Sequence, residues 1–80
     1  MTPAEVLVRI EPIMRDLFDE YEGPITASLT ADAVEQWDSL ANVQLMVMVE
    51  KAFKVKFAVT EVASLKNLGE LADMVAAKAA

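Results

Sequence analysis

Eighty residues without a single cysteine allow one domain with a modest core, and they exclude a disulfide scaffold or a thiolate metal site. The chain also lacks histidine, which removes the commonest general base and metal ligand and any Ser-His-Asp arrangement, so no metal and no catalytic residue is expected. A net charge of −6 at pH 7 excludes a nucleic-acid binder, which needs a basic face to neutralise phosphates, and disfavours anionic membranes.

The opening Met1 to Pro12 lacks the basic start and continuous apolar core of a secretory signal, and no apolar run approaches membrane-spanning length. A cytoplasmic protein without membrane insertion is expected, folded as one domain over residues 1–80. Thr2-Pro3-Ala4-Glu5 reads as a helix start, with Thr2 as N-cap, Pro3 in the first helical position and Glu5 closing a capping box. Val6, Ile10, Ile13, Met14, Leu17 and Phe18 then recur at helical spacing. Pro12 removes one backbone hydrogen bond, but the apolar stripe passes through it in phase. One kinked helix ending near Glu20 is expected, with Arg9, Glu11, Arg15, Asp16 and Asp19 on a solvated face.

Tyr21 to Gln36 is a long connection opened by Gly23-Pro24. So long a loop in so small a domain must be pinned to the core by its own apolar residues, here Ile25, Leu29 and Val34. Thr30 to Ala33 has the composition for a brief helical turn.

The run from Trp37 to Phe53 is the stretch the other segments support. Trp37 reads first as an aromatic anchor for the start of a helix, and second as a contact for a partner or prosthetic group. Asp38 is a good N-cap, and no Pro or Gly follows until Gly69, so the helix begins at Ser39. Its first turn has unpaired N–H groups and the positive end of the macrodipole, which suits a phosphate ester on the Ser39 hydroxyl. Helical spacing puts Leu45, Val49, Ala52 and Phe53 on a core stripe with Met46 at its margin. The opposite side holds Ser39, Leu40, Val43, Gln44, Val47, Glu50 and Lys51, which is more apolar than a solvent face requires; a partner must sometimes cover it.

Lys54 to Val59 alternates like a strand but has none to pair with, so it reads as a connector whose Val55, Phe57 and Val59 dip into the core. Thr60 caps a short helix over residues 61–64, with Val62 against the bundle. Asn67 caps a final helix, Glu70 stands at the capping-box position, and Leu68, Leu71, Ala72 and Val75 form its buried stripe. Gly69 weakens the first turn slightly, and the tail from Ala76 to Ala80 frays.

Asp38-Ser39-Leu40, followed by an apolar helix, resembles the attachment motif of the acyl carrier proteins. The likeness covers almost the whole chain, in family order: opening helix, long loop, serine helix, short third helix and closing helix. It implies an all-α fold, a small antiparallel bundle of three main helices plus one short helix, with a long loop between the first two. It implies that a phosphopantetheinyl transferase moves 4′-phosphopantetheine from coenzyme A onto Ser39, with Asp38 fixing the junction and Leu40 completing the motif. The arm's thiol would hold an acyl or aminoacyl group as a thioester for acyl-loading, acyl-processing or acyl-transferring enzymes, making the chain a carrier and not an enzyme. Family carriers can fold the acyl chain into a cleft between helices, and Met46 and Met48 are adaptable enough to line one, although core filling is the first reading of Met46.

Two departures set this chain apart from carriers of fatty-acid synthesis. Trp37 stands where those have a small residue, as in carriers of specialised bacterial pathways. Ala41 and Gln44 stand where many have acidic residues, so recognition should rest on Leu40, Val43, Gln44 and Val47, with help from Asp32 and Glu35 in the loop. The expected function is a stand-alone, monomeric carrier in lipid, polyketide or other specialised biosynthesis. The rival is an unmodified interaction or dimerisation module that uses the Leu40-Val43-Val47 strip. A small enzyme is the weaker rival, because no paired-carboxylate spacing stands out.

Overall fold

A computed structural model describes residues 1–79 and shows, among them, four α-helices, one 3-10 turn and no strand. Helix α1 (Pro3–Leu17) is one continuous helix, with Pro12 inside it. Its start is the expected capping box: the Thr2 hydroxyl accepts from the Glu5 N–H at 3.2 Å while the Glu5 carboxylate accepts from the Thr2 N–H at 3.2 Å. The helix ends three residues before the expected Glu20, because the Phe18 side chain turns into the core and residues 18–20 form a turn. Val6, Ile10, Met14 and Phe18 are fully buried, while Ile13 and Leu17 only flank them.

Helix α1 packs against both α2 (Ser39–Phe53) and α4 (Leu68–Lys78), and the core lies between these three. In α2 the buried residues are Ala41, Leu45, Met46, Val49 and Phe53. Ala52, expected in this stripe, is exposed. It has the right helical phase, but it stands at the end of α2 beside an open hollow shared with Arg9, Phe53 and Lys78. The Arg9 guanidinium covers the Phe53 ring at 4.7 Å from its centroid, closing that end of the core with a cation–π contact. Lys54 then leaves the helix in the left-handed conformation, φ 57° and ψ 45°.

The long loop is pinned as its apolar residues foretold, with Leu29 and Val34 buried, Ile25 half-buried, and a 3-10 turn over Ala31–Ala33. Two polar devices hold its ends. The Gln36 side-chain amide accepts from the Glu20 N–H at 3.0 Å and donates to the Asp19 carboxylate at 3.2 Å, which ties the entry of α2 to the exit of α1. The Leu68 and Gly69 N–H groups donate to the Leu29 and Ala27 carbonyls at 2.9 and 2.8 Å, so the loop supplies acceptors for the first turn of α4.

The connector after α2 departs from expectation at its far end. Val55 and Phe57 are half-buried, but Val59 is 85% exposed, because it is the first residue of α3 (Val59–Ala63). That helix starts two residues before the expected position, with Ala58 and not Thr60 at the cap: the Glu61 carboxylate accepts from the Ala58 N–H at 2.8 Å, which makes Ala58 the boundary residue. Val62 packs on the core as expected.

Asn67 caps α4 by accepting from the Glu70 N–H at 2.8 Å. The Glu70 carboxylate reaches Lys66 N–H at 2.9 Å and not the cap residue's own, so the box is displaced by one residue. Leu68, Leu71, Ala72 and Val75 are buried as predicted. Ala76 is buried as well and α4 runs to Lys78, so the helix continues two residues past the buried Ala76 into the stretch expected to fray; Ala80 lies outside the described residues. None of these helices is long and apolar enough to cross a membrane.

Candidate functional site

Ser39 is the first residue of α2 and is exposed. Asp38 is its N-cap, in extended backbone, with Oδ1 accepting from the Ala41 N–H at 2.8 Å. The Asp38 carbonyl takes the Asn42 N–H at 2.9 Å, leaving the N–H groups of Ser39 and Leu40 without a protein partner among the described residues. The hydroxyl therefore stands at a capped loop-to-helix junction, beside free donors and the positive end of a four-turn helix.

A cleft of about 350 Å³ opens at this serine. Ser39, Asn42 and Met46 follow one another at three- and four-residue spacing down the side of α2 that faces it. Trp37 and Ala31 close it on the loop side, and the opposite wall is formed by Val62 of α3, Leu71 of α4 and Leu65, Lys66 and Asn67 between those two helices. Met46 lines the cleft and is also 6% exposed core, so both readings of it hold; Met48, out of phase by two residues, is half-buried elsewhere.

Trp37 anchors the start of α2. Its ring sits 5.5 Å from that of Phe18, and its Nε1–H donates to Asn42 Oδ1 at 3.0 Å. It is therefore the anchor that its first reading expects, and its ring also forms part of the cleft wall.

The strip beyond the serine is open as expected: Leu40 is 69%, Val43 58% and Val47 41% exposed, and Gln44 is exposed beside them. Glu50 is not part of this face in a free sense, since its carboxylate accepts from the Phe57 N–H at 2.8 Å and fastens the connector. Of the two positions where many carriers are acidic, Ala41 is buried and Gln44 is exposed.

Sequence reasoning missed Asn42, Lys66 and the cleft side of Asn67. The available signal was Asn42 itself, which with Gln44 is the only polar residue from Leu40 to Val49. No cluster of potential metal ligands occurs among the described residues.

An exposed serine on a helix start, a cleft leading away from it and an apolar strip alongside define a carrier-type helical bundle. A family model described as phosphopantetheine attachment site matches residues 37–75. The solution NMR structure of a holo acyl carrier protein from Geobacter metallireducens is similar to this fold, with a TM-score of 0.83 and 40% sequence identity over 91% of this chain and 84% of that one. A comparison with curated protein sequences finds no match. The chain belongs to the acyl carrier protein family. It is a carrier rather than an enzyme, and its cofactor is a covalently attached 4′-phosphopantetheine. A carrier of this kind works with a phosphopantetheinyl transferase and with acyl-handling enzymes.

Proposed function

We propose that Ser39 carries the 4′-phosphopantetheine and that residues 1–80 act as one stand-alone carrier domain for acyl or aminoacyl intermediates of lipid, polyketide or other specialised biosynthesis. The observation that carries this reading is the place of Ser39, exposed in the first turn of α2 at the mouth of the cleft. In loading, Ser39 Oγ forms a bond to the phosphorus of the pantetheine phosphate, loses its proton, and the adenosine bisphosphate portion of coenzyme A departs. Asp38 holds the junction that presents the hydroxyl, and the unpartnered Ser39 and Leu40 N–H groups favour the resulting anionic diester. When bound, the group supplies a thiol that holds the cargo as a thioester. Leu40, Val43, Gln44 and Val47 form the surface that meets partner enzymes, and the cleft shelters the cargo between transfers.

The experiment is intact-mass analysis after incubation with coenzyme A, Mg²⁺ and a broad-specificity phosphopantetheinyl transferase. Wild type should gain one phosphopantetheine and Ser39→Ala none. A folded wild type that gains nothing from several transferases would overturn the proposal. The apolar strip favours one second reading, a dimer through Leu40, Val43 and Val47, which sedimentation of the unmodified protein tests directly.

A further inference from the structure

The lining of the cleft carries information about the cargo. On its α2 side, Asn42 Oδ1 accepts from Trp37 Nε1–H, and because an indole nitrogen can only donate, the asparagine must present its oxygen there. Its NH₂ group has no protein partner among the described residues. On the opposite wall Asn67 Oδ1 is held by the Glu70 N–H, which fixes that amide in the same sense and frees its NH₂ as well. Lys66, at the rim, makes no ion pair among the described residues. Two oriented amide donors thus stand in one cleft, with their own acceptor oxygens already used by the fold.

An alkyl chain placed between them would displace their water and return no hydrogen bond. An acceptor oxygen on the cargo would satisfy them. Volume limits the cargo too, since about 350 Å³ lies at the low end of the roughly 300–1,000 Å³ range of small-molecule pockets. Asp38 at the mouth and the net charge of −6 act against a carboxylate while Lys66 at the rim acts for one, so the malonyl-loaded form decides that point.

We infer that the cleft selects a short, neutral oxygenated acyl group, a 3-oxoacyl or 3-hydroxyacyl chain, with the Asn42 and Asn67 amides donating to its oxygen, and not a saturated fatty chain. This rests on Ser39 being the attachment site. The two donors are specificity residues for the cargo, and Met46 and Leu71 provide the apolar surface for its few carbons.

The test loads the isotopically labelled protein from the corresponding coenzyme A thioesters with butanoyl, 3-oxobutanoyl, 3-hydroxybutanoyl, octanoyl or malonyl groups on the arm. The readouts are intact mass, the side-chain NH₂ resonances of Asn42 and Asn67, and the rate at which hydroxylamine cleaves the thioester. The 3-oxo and 3-hydroxy forms should shift both NH₂ pairs. The 3-hydroxy form, whose thioester electronics are close to butanoyl, should be cleaved about threefold to tenfold more slowly than butanoyl. Asn42→Asp and Asn67→Asp keep the oxygens that bind Trp37 and the α4 first turn while deleting the donors. They should erase that difference without unfolding the chain.

Octanoyl or malonyl forms that perturb the two amides more strongly than the oxygenated ones, or oxygenated forms that leave them unmoved on a loaded chain, would overturn this inference alone. Absence of any mass gain at Ser39 would overturn the carrier reading together with it.

Discussion

The Gly69 N–H donates to the Ala27 carbonyl at 2.8 Å, and a β-carbon built on Gly69 would lie 2.9 Å from that same oxygen and 3.0 Å from Ala27 Cβ. The glycine is therefore the seat on which the long loop docks. Gly69→Ala would gain up to about 1 kcal/mol in helix propensity, but it forces the loop off a backbone oxygen that cannot step aside, an overpacking cost of about 1–3 kcal/mol. Net destabilisation of about 1 kcal/mol is expected in urea unfolding. An alanine variant as stable as wild type would show that the loop is not held there.

Trp37 is tested by separating its ring from its N–H. Trp37→Phe keeps an aromatic against Phe18 and loses only the donor to Asn42, a half-exposed partner that water can reach. It should lower stability by about 1 kcal/mol, and Trp37→Ala by about 2–3 kcal/mol, because the half-buried ring is lost as well. Equal costs for the two variants, measured by chemical denaturation, would contradict the anchoring role.

How much of this was legible in the sequence depends on the range of the contact. Thr2, Asp38 and Asn67 were readable as caps because a cap acts within three residues of itself. The buried stripes of α1 and α4 followed from periodicity. The cleft was not legible, because Asn42 and Asn67 are brought together by helix packing and no local pattern announces it. Gly69 was misread as a mild defect for the same reason: its partner, Ala27, lies more than forty residues away in a loop. The α3 boundary failed because Glu61 can close a turn by bonding to Ala58 N–H with no capping side chain in the boundary residue.

Helix α3 carries two cleft-lining residues' worth of wall through Val62 and the adjoining Leu65, yet buries none of its own residues fully. Glu61 fastens it. The Ala58 N–H, first, and the Lys78 ammonium at 3.0 Å, second, hold its carboxyl below the usual glutamate range. Since the folded pKa is the lower one, this fastening is complete above the unfolded glutamate pKa and is lost as pH falls through the folded value. The protection of α3 amides, taken relative to an intrinsic exchange that itself slows on acidification, should therefore fall as pH drops. Lys78→Met should move the transition up in pH without abolishing it, because the Ala58 bond remains. A pH-independent α3 would refute this.

Lys54 occupies a left-handed position at the end of α2 that costs a side-chain-bearing residue about 1 kcal/mol. Its side chain is exposed and makes no ion pair among the described residues. Lys54→Gly should raise stability by about 0.5–1 kcal/mol, the relief of strain exceeding the greater flexibility of glycine in the unfolded chain. A shift of the urea midpoint to higher concentration at unchanged slope is the expected record.

The apolar strip of α2 distinguishes recognition by shape from recognition by charge. Leu40 and Val43 are more than half exposed, and no acidic residue occurs from Ser39 to Val49. Val43→Glu removes no buried contact and should change folding stability by no more than about 0.5 kcal/mol. If the strip is the docking surface, the same change inserts an unpaired charge into a desolvating interface. It should then lower kcat/KM for phosphopantetheinylation by roughly tenfold or more, as loss of an interface anchor does. Asp32→Asn with Glu35→Gln removes the nearest loop charges and should act mainly through the salt dependence of the rate, with a smaller loss at physiological ionic strength. Loading kinetics of the two variants decide between them: a larger loss in the loop variant would move the docking surface from the strip to the acidic loop. Wild type that sediments as a dimer, with Val43→Glu a monomer, would assign the strip to self-association.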